Sequence, residues 1–192
     1  MNSFYSEKEL AHIGFKEYGT NVLISKKVSI YSPERIKIGN HVRIDDFCIL
    51  SGNIELGSYI HISAYTSLFA GSKGIIAKDF STISSGVVVY GKSDDYSGEY
   101  MTNPMVASEY TNVIEGRVEI GKHVIIGTRS VVLPDVVIGT GVAIGAMSLV
   151  NKSLAEWGIY VGVPCRFMKA RCKKILELEK AYIEKEENRK RE

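Results

Sequence analysis

The sequence predicts an all-β protein whose chain winds as a coil of stacked turns with a six-residue repeat. The first observation is a beat of six: Ile38, Ile44, Leu50, Leu56, Ile62, Leu68, resuming as Ile120, Ile126, Val132, Ile138, Ile144, Val150. The second is a small or β-branched residue four positions after most of these, as in Val42, Cys48, Thr66, Val124, Ser130 and Ser148. The third is the recurrence of turn formers between beats, at Gly39-Asn40, Asp45-Asp46, Gly52-Asn53 and Gly57-Ser58. A period of six matches neither an amphipathic helix nor an alternating strand. It matches turns stacked so that each apolar side chain rests on its equivalent one turn below.

The elements follow in order. Residues 1–20 read as a cap: Ser6 and Glu9 form a capping box, Leu10 and Ile13 follow at helical spacing, and Tyr18-Gly19 ends the helix. Such a cap covers the last apolar layer of a coil and blocks edge pairing. Residues 21–165 form the coil, entered loosely at Ile24, Val28 and Ile30, with a corner at Ser32-Pro33-Glu34. With three hexads per turn, Ile38 stacks on Leu56, Ile44 on Ile62 and Phe80, and Leu50 on Leu68. The beat stops after Tyr90 and returns near Gly116, so residues 91–116 are an insertion loop. Insertions of this kind mark one face of a solenoid, and long loops in compact domains are functional or disordered; the tyrosines here argue against disorder. Trp157 to Pro164 is a turn-rich exit, and residues 166–192 read as a C-terminal helix with Ile175, Leu178 and Tyr182 as its apolar stripe.

Composition sets outer bounds. The 192 residues carry a net charge of +2, which gives no strong pull toward nucleic acid or a membrane surface. No apolar run approaches the ~20 residues of a membrane span, and the N-terminus lacks the pattern of a signal peptide. The three cysteines, Cys48, Cys165 and Cys172, are odd in number and lack zinc-type spacing. A reduced, cytoplasmic protein is expected.

Four segments carry a family resemblance: residues 120–127, 132–139, 144–150 and Gly162-Val163-Pro164-Cys165-Arg166. Together they resemble the hexapeptide-repeat acyltransferases, in particular the galactoside and maltose O-acetyltransferases, the xenobiotic acetyltransferases and the WbbJ-like surface-polysaccharide acetyltransferases. The resemblance implies a left-handed parallel β-helix and a homotrimer with active sites between subunits. It also implies transfer of an acetyl group from acetyl-CoA to a hydroxyl or amino group of a sugar or nucleotide-sugar in polysaccharide or lipopolysaccharide biosynthesis. No metal is implied. By the same resemblance Gly127, Gly145 and Ala146 hold the pantetheine arm, Val163 and Pro164 lie near the adenine, and Arg166, Lys169 and Arg171 near the phosphates.

The chain departs from the family at the chemistry. Family members carry a basic histidine in the insertion loop, and residues 90–98 contain none. Asp94 falls at or beside that position, so Asp94 and Asp95 are candidate catalytic groups, their alternative being turn chemistry. An amine acceptor asks less of a base than a hydroxyl, which favours an amino sugar. Tyr96, Tyr100 and Asn103 are candidate sugar contacts. His61 faces outward beside Ile62 and is a third catalytic candidate, whereas His41 and His123 are expected at the surface. Two other readings stand beside the enzyme: a non-catalytic trimeric scaffold, and a γ-carbonic-anhydrase-like zinc lyase, which needs three converging histidines.

Overall fold

Each hexad anchor lies in a short strand that pairs in parallel with its equivalents one turn above and below. In the computed structural model, which describes residues 3–191, these strands make three sheets of six, eight and six strands around one core. The first face runs from Glu17–Tyr18 through Ile36–Ile38, Ile54–Leu56, Ile75–Ala77 and Val118–Ile120 to Val137–Ile138. The second contains Leu23–Ile24, Arg43–Ile44, His61–Ile62, Thr82–Ile83, Ile125–Ile126 and Ala143–Ile144, then the exit strands. The third runs from Ser29–Tyr31 to Leu149–Val150.

Register follows the beat. Ile38 pairs with Leu56, Ile44 with Ile62 and Leu50 with Leu68. One expected contact differs: Ile62 pairs with Ile83, not Phe80. The turn around Gly71 and Gly74 lengthens that coil turn, so the inward position moves along the chain. Ile44, Leu50, Ile62, Leu68, Ile83 and Ile126 are fully buried, and each such side chain contributes roughly 1.5–3 kcal/mol through removal from water. The small partners are buried with them, and several bind the backbone: Thr66 Oγ1 donates to Ser84 O at 3.0 Å, and Ser130 and Ser148 hydroxyls donate to Gly145 O at 3.1 and 2.8 Å. Burial pushes the Cys48 thiol up to about 11, so it behaves as a small apolar filler.

The ends differ from the sequence expectation. Helix α1 (Glu7–Ile13) has the capping box and buries Leu10, but Gly14 ends it in the left-handed region, at φ 87°. Glu17–Tyr18 then joins the first face as a strand. At the other end, Cys165–Ala170 is a strand rather than the start of a helix. The Gly162-Val163-Pro164 turn folds it antiparallel onto Gly158–Gly162, which satisfies the backbone edge that the last coil turn exposes. Helix α2 spans Ile175–Arg191. Residues 1, 2 and 192 of the expected cap and terminal helix lie outside the described residues.

Candidate active site

The insertion loop is built as an ordered arm. Lys92–Ser93 pairs antiparallel with Ile114–Glu115 at its base, and Met101 bridges Thr111 further out. Asp95 fastens the interior: Oδ1 accepts from the Ser97 amide at 2.7 Å and hydroxyl at 2.5 Å, and Oδ2 from Asn112 Nδ2 at 3.1 Å. The Ser97 hydroxyl, ahead of the other donors, holds this carboxyl below its ordinary range. Asp94, one residue earlier, is exposed and lines a cavity of 1090 Å³ between loop and coil. Tyr90, Tyr96, Asn103, Leu133 and Asn151 line the same cavity, while Tyr100 and Asp95 do not. The structure thus gathers Asp94, Tyr96 and Asn103 on one wall and assigns Asp95 to the loop's own turn.

A second constellation lies along the edge between the second and third faces. Ser25, Asp45, Ser63, Ser84, Gly127 and Gly145 occupy equivalent positions, their amides donating to the carbonyls of Ile44, Ile62, Ile83, Ile126, Ile144 and Tyr160 in turn. Neighbours in this column are about 4.8 Å apart, the strand spacing. A Cβ on Gly127 would run into the backbone of Gly145 and Ala146, so this turn of the column requires glycine. The buried hydroxyls of Thr66, Ser130 and Ser148 hold the carbonyls of this same column. Ser84 was not singled out by sequence reasoning; its membership shows only once the register is known.

His61 sits beside the column. Its Nε2 is 2.7 Å from Asp45 Oδ2, and Arg43 Nε donates to Asp45 Oδ1 at 2.8 Å. Burial raises the Asp45 carboxyl, but the bonds from His61 and Arg43 outweigh it and leave the group below its ordinary value. Asp45 reads in the sequence only as a corner residue; spacing alone does not link it to His61.

His123 departs from its expected surface placement. It is 8% exposed, its Nε2 is 2.7 Å from Glu179 Oε2, and Lys122 Nζ takes the other oxygen at 2.5 Å. Helix α2 covers it, which the coil repeat could not announce. His41, Tyr59, Phe80 and His123 all adopt positive φ at successive corners, and their rings stack at 4.7, 4.6 and 5.3 Å. The groove of 480 Å³ between this ladder and α2 is a packing seam lined by Ile175, Leu178 and Tyr182.

The residues expected near the coenzyme divide. Val163, Arg166 and Lys169 are exposed on the exit hairpin, and Pro164 is half-buried. Ala146 is exposed beside Gly145 on the column. Arg171 is engaged by the fold: one Nη1 donates to the carbonyls of His123, Gly141 and Val142 at 2.7, 3.1 and 3.3 Å. Among the described residues no group of three or more His, Cys, Asp or Glu is placed to hold a metal ion, and no helix is long and apolar enough to cross a membrane.

The family profile described as bacterial transferase hexapeptide (six repeats) matches residues 113–152. A dTDP-4-amino-4,6-dideoxy-D-glucose acyltransferase of Escherichia coli is 48% identical, the match covering 94% of this chain and 95% of that protein. WbbJ of Escherichia coli K12, assigned to lipopolysaccharide biosynthesis, is 29% identical over 73% of this chain and 71% of its own. AntD, an N-acyltransferase from Bacillus cereus solved with dTDP and 3-hydroxybutyryl-CoA, is 56% identical with a TM-score of 0.96, covering 97% of this chain and 100% of its own. Other AntD structures are S84A and D94N variants; this chain has serine and aspartate at the same two numbers.

Proposed function

The chain belongs to the hexapeptide-repeat acyltransferases, and from that premise we propose that it moves an acyl group from coenzyme A to the amino group of a dTDP-linked 4-amino-4,6-dideoxy sugar. The observation that carries this reading is the loop cavity: it has no histidine, yet its wall bears Asp94 beside aromatic rings. A carboxylate suits an ammonium-bearing sugar better than it suits a neutral hydroxyl. The volume slightly exceeds that of the usual small-molecule pocket, which leaves room for a nucleotide-sugar. The E. coli relative is named for this acceptor, and an AntD variant was solved with the same sugar nucleotide and CoA.

Transfer needs a neutral amine, a held oxyanion and both substrates in line. In this reading the pantetheine arm follows Gly145, Ala146 and Gly127 along the column, with its thioester toward Ser84. The adenine lies against Val163 and Pro164, and Arg166 and Lys169 face the phosphates. The acceptor occupies the loop cavity against Asp94, Tyr96 and Asn103. Column and loop leave opposite edges of the third face, about six residues of strand apart, or up to roughly 20 Å of extended chain. A neighbouring copy closes that gap, so the working unit is a homotrimer with each site shared between two coils. Its setting is cytoplasmic and its product serves surface polysaccharide assembly.

The test is ligand-dependent unfolding. Each of dTDP and CoA at 100 times its dissociation constant raises apparent stability by ~2.7 kcal/mol. A protein that responds to CoA and not to dTDP does not take a dTDP-linked acceptor.

A further inference from the structure

We propose that His61 carries the proton during acyl transfer and that Asp45 is its positioning residue. The proposal rests on the reading that the coenzyme arm runs down the Gly145–Gly127 edge toward Ser84. On that path the next column position is Ser63, and His61, two residues earlier on the same strand, faces the same outward side. The register sets His61 beside Thr82, two residues before Ser84, and beside Arg43 on the other flank. His61 is therefore one strand over and two residues back from Ser84, roughly 8 Å between Cα atoms, within reach of an imidazole side chain.

The tautomer follows from the partner. A carboxylate only accepts, so the 2.7 Å contact requires a proton on Nε2, and in the neutral ring Nδ1 then keeps its lone pair. Arg43 occupies the second Asp45 oxygen at 2.8 Å, which keeps the carboxylate ionised and fixed. The other three histidines lie away from the column. His12 Nδ1 meets Lys8 O at 2.6 Å on helix α1, His41 bonds Asn21 and stacks on Tyr59, and His123 is buried against Glu179. The sequence has four histidines in all, and His61 alone combines a bare nitrogen with a place beside the column.

The step balances without a further reagent. The acceptor ammonium first loses one proton to solvent; the neutral nitrogen then attacks the thioester carbonyl carbon, the C–N bond forms, and the carbonyl π pair moves to oxygen. His61 Nδ1 takes the proton that nitrogen sheds. As the oxyanion collapses the C–S bond breaks, and the imidazolium returns the proton to the departing sulfur. Asp45 stabilises the imidazolium between the two transfers, as a carboxylate partner does in acid–base pairs.

The test uses the full chain with acetyl-CoA and dTDP-4-amino-4,6-dideoxyglucose, comparing wild type with His61→Asn, His61→Gln and Asp45→Asn. Expected for both His61 variants is a fall in kcat of about 100-fold or more, with CoA affinity within twofold and one ionisation gone from the pH profile. Asp45→Asn keeps that ionisation and lowers kcat by a smaller factor, because the ring loses the group that positions it. Nitrogen-15 NMR of the wild type provides a readout that needs no acceptor: Nε2 protonated and Nδ1 bare, changed by Asp45→Asn. Folded His61 variants with kcat within threefold of wild type, or an Nδ1-protonated ring in the wild type, overturn the proposal. A wild type that ignores the amino sugar yet shows the expected tautomer supports the positioning by Asp45 and contradicts the acceptor reading alone.

Discussion

His123 Nε2 and Glu179 Oε2 stand 2.7 Å apart across the seam between the coil and helix α2, joining positions 56 residues apart in the chain. Lys122 completes the carboxylate's shell, and the bonds from Lys122 and His123 outweigh burial to hold Glu179 below its ordinary value of 4.5. A depressed carboxyl stabilises the fold above its unfolded value and loses that contribution as the pH falls through the folded one. The contribution to helix docking is therefore complete at neutral pH, begins to fall below about pH 4.5 and is gone only once the pH passes the lower folded value. Glu179→Gln is expected to cost about 1–3 kcal/mol and to flatten the acid limb of stability, read by urea unfolding across pH.

Core stacking predicts a different kind of loss. Leu68→Ala removes a fully buried side chain packed between Leu50 and Val89 in the register. Unfolding in urea should show a loss of about 2–5 kcal/mol, with coenzyme affinity per folded molecule unchanged.

Asp94 and Asp95 should separate by kinetics. Asp94 faces the cavity, whereas Asp95 is engaged by Ser97 and Asn112. Asp94→Asn is expected to lower kcat/KM for the acceptor about tenfold or more, the scale of one charge-assisted contact. Asp95→Asn should loosen the loop instead: faster proteolysis between residues 96 and 112, higher acceptor KM, and a smaller change in kcat.

Arg166 and Arg171 offer a paired contrast. Arg166→Ala removes an exposed cation and should weaken CoA binding in a salt-dependent manner with little effect on the melting temperature. Arg171→Ala frees three backbone carbonyls and should lower the melting temperature first. Titration of CoA at low and high salt, with melting curves on both variants, separates the two.

Much of this was legible in the residues. The anchors give the coil and most of its register and inward column, because a six-residue period matches neither an amphipathic helix nor an alternating strand. The insertion loop and the missing histidine were visible as interruptions of pattern. What the beat could not show is contact between distant turns. Phe80 reads as an anchor until the Gly71–Gly74 turn is seen to shift the register. His123 reads as a surface residue until α2 lies over it. Asp45 reads only as a corner and Ser84 carries no local mark, since their further meaning comes from neighbours about 4.8 Å away on adjacent turns. The strand at Cys165–Ala170 was hidden for the same reason: only a backbone edge waiting to be paired selects strand over helix for that segment.

The most direct measurement is a competition in one vessel: purified protein, acetyl-CoA, and equal amounts of dTDP-4-amino-4,6-dideoxyglucose and its 4-hydroxy counterpart, with products resolved by mass spectrometry. Expected is a single acylated product on the amino sugar, formed at the rate at which free CoA thiol appears. Acyl transfer to the hydroxyl sugar instead, or thiol release with no acylated sugar, contradicts it.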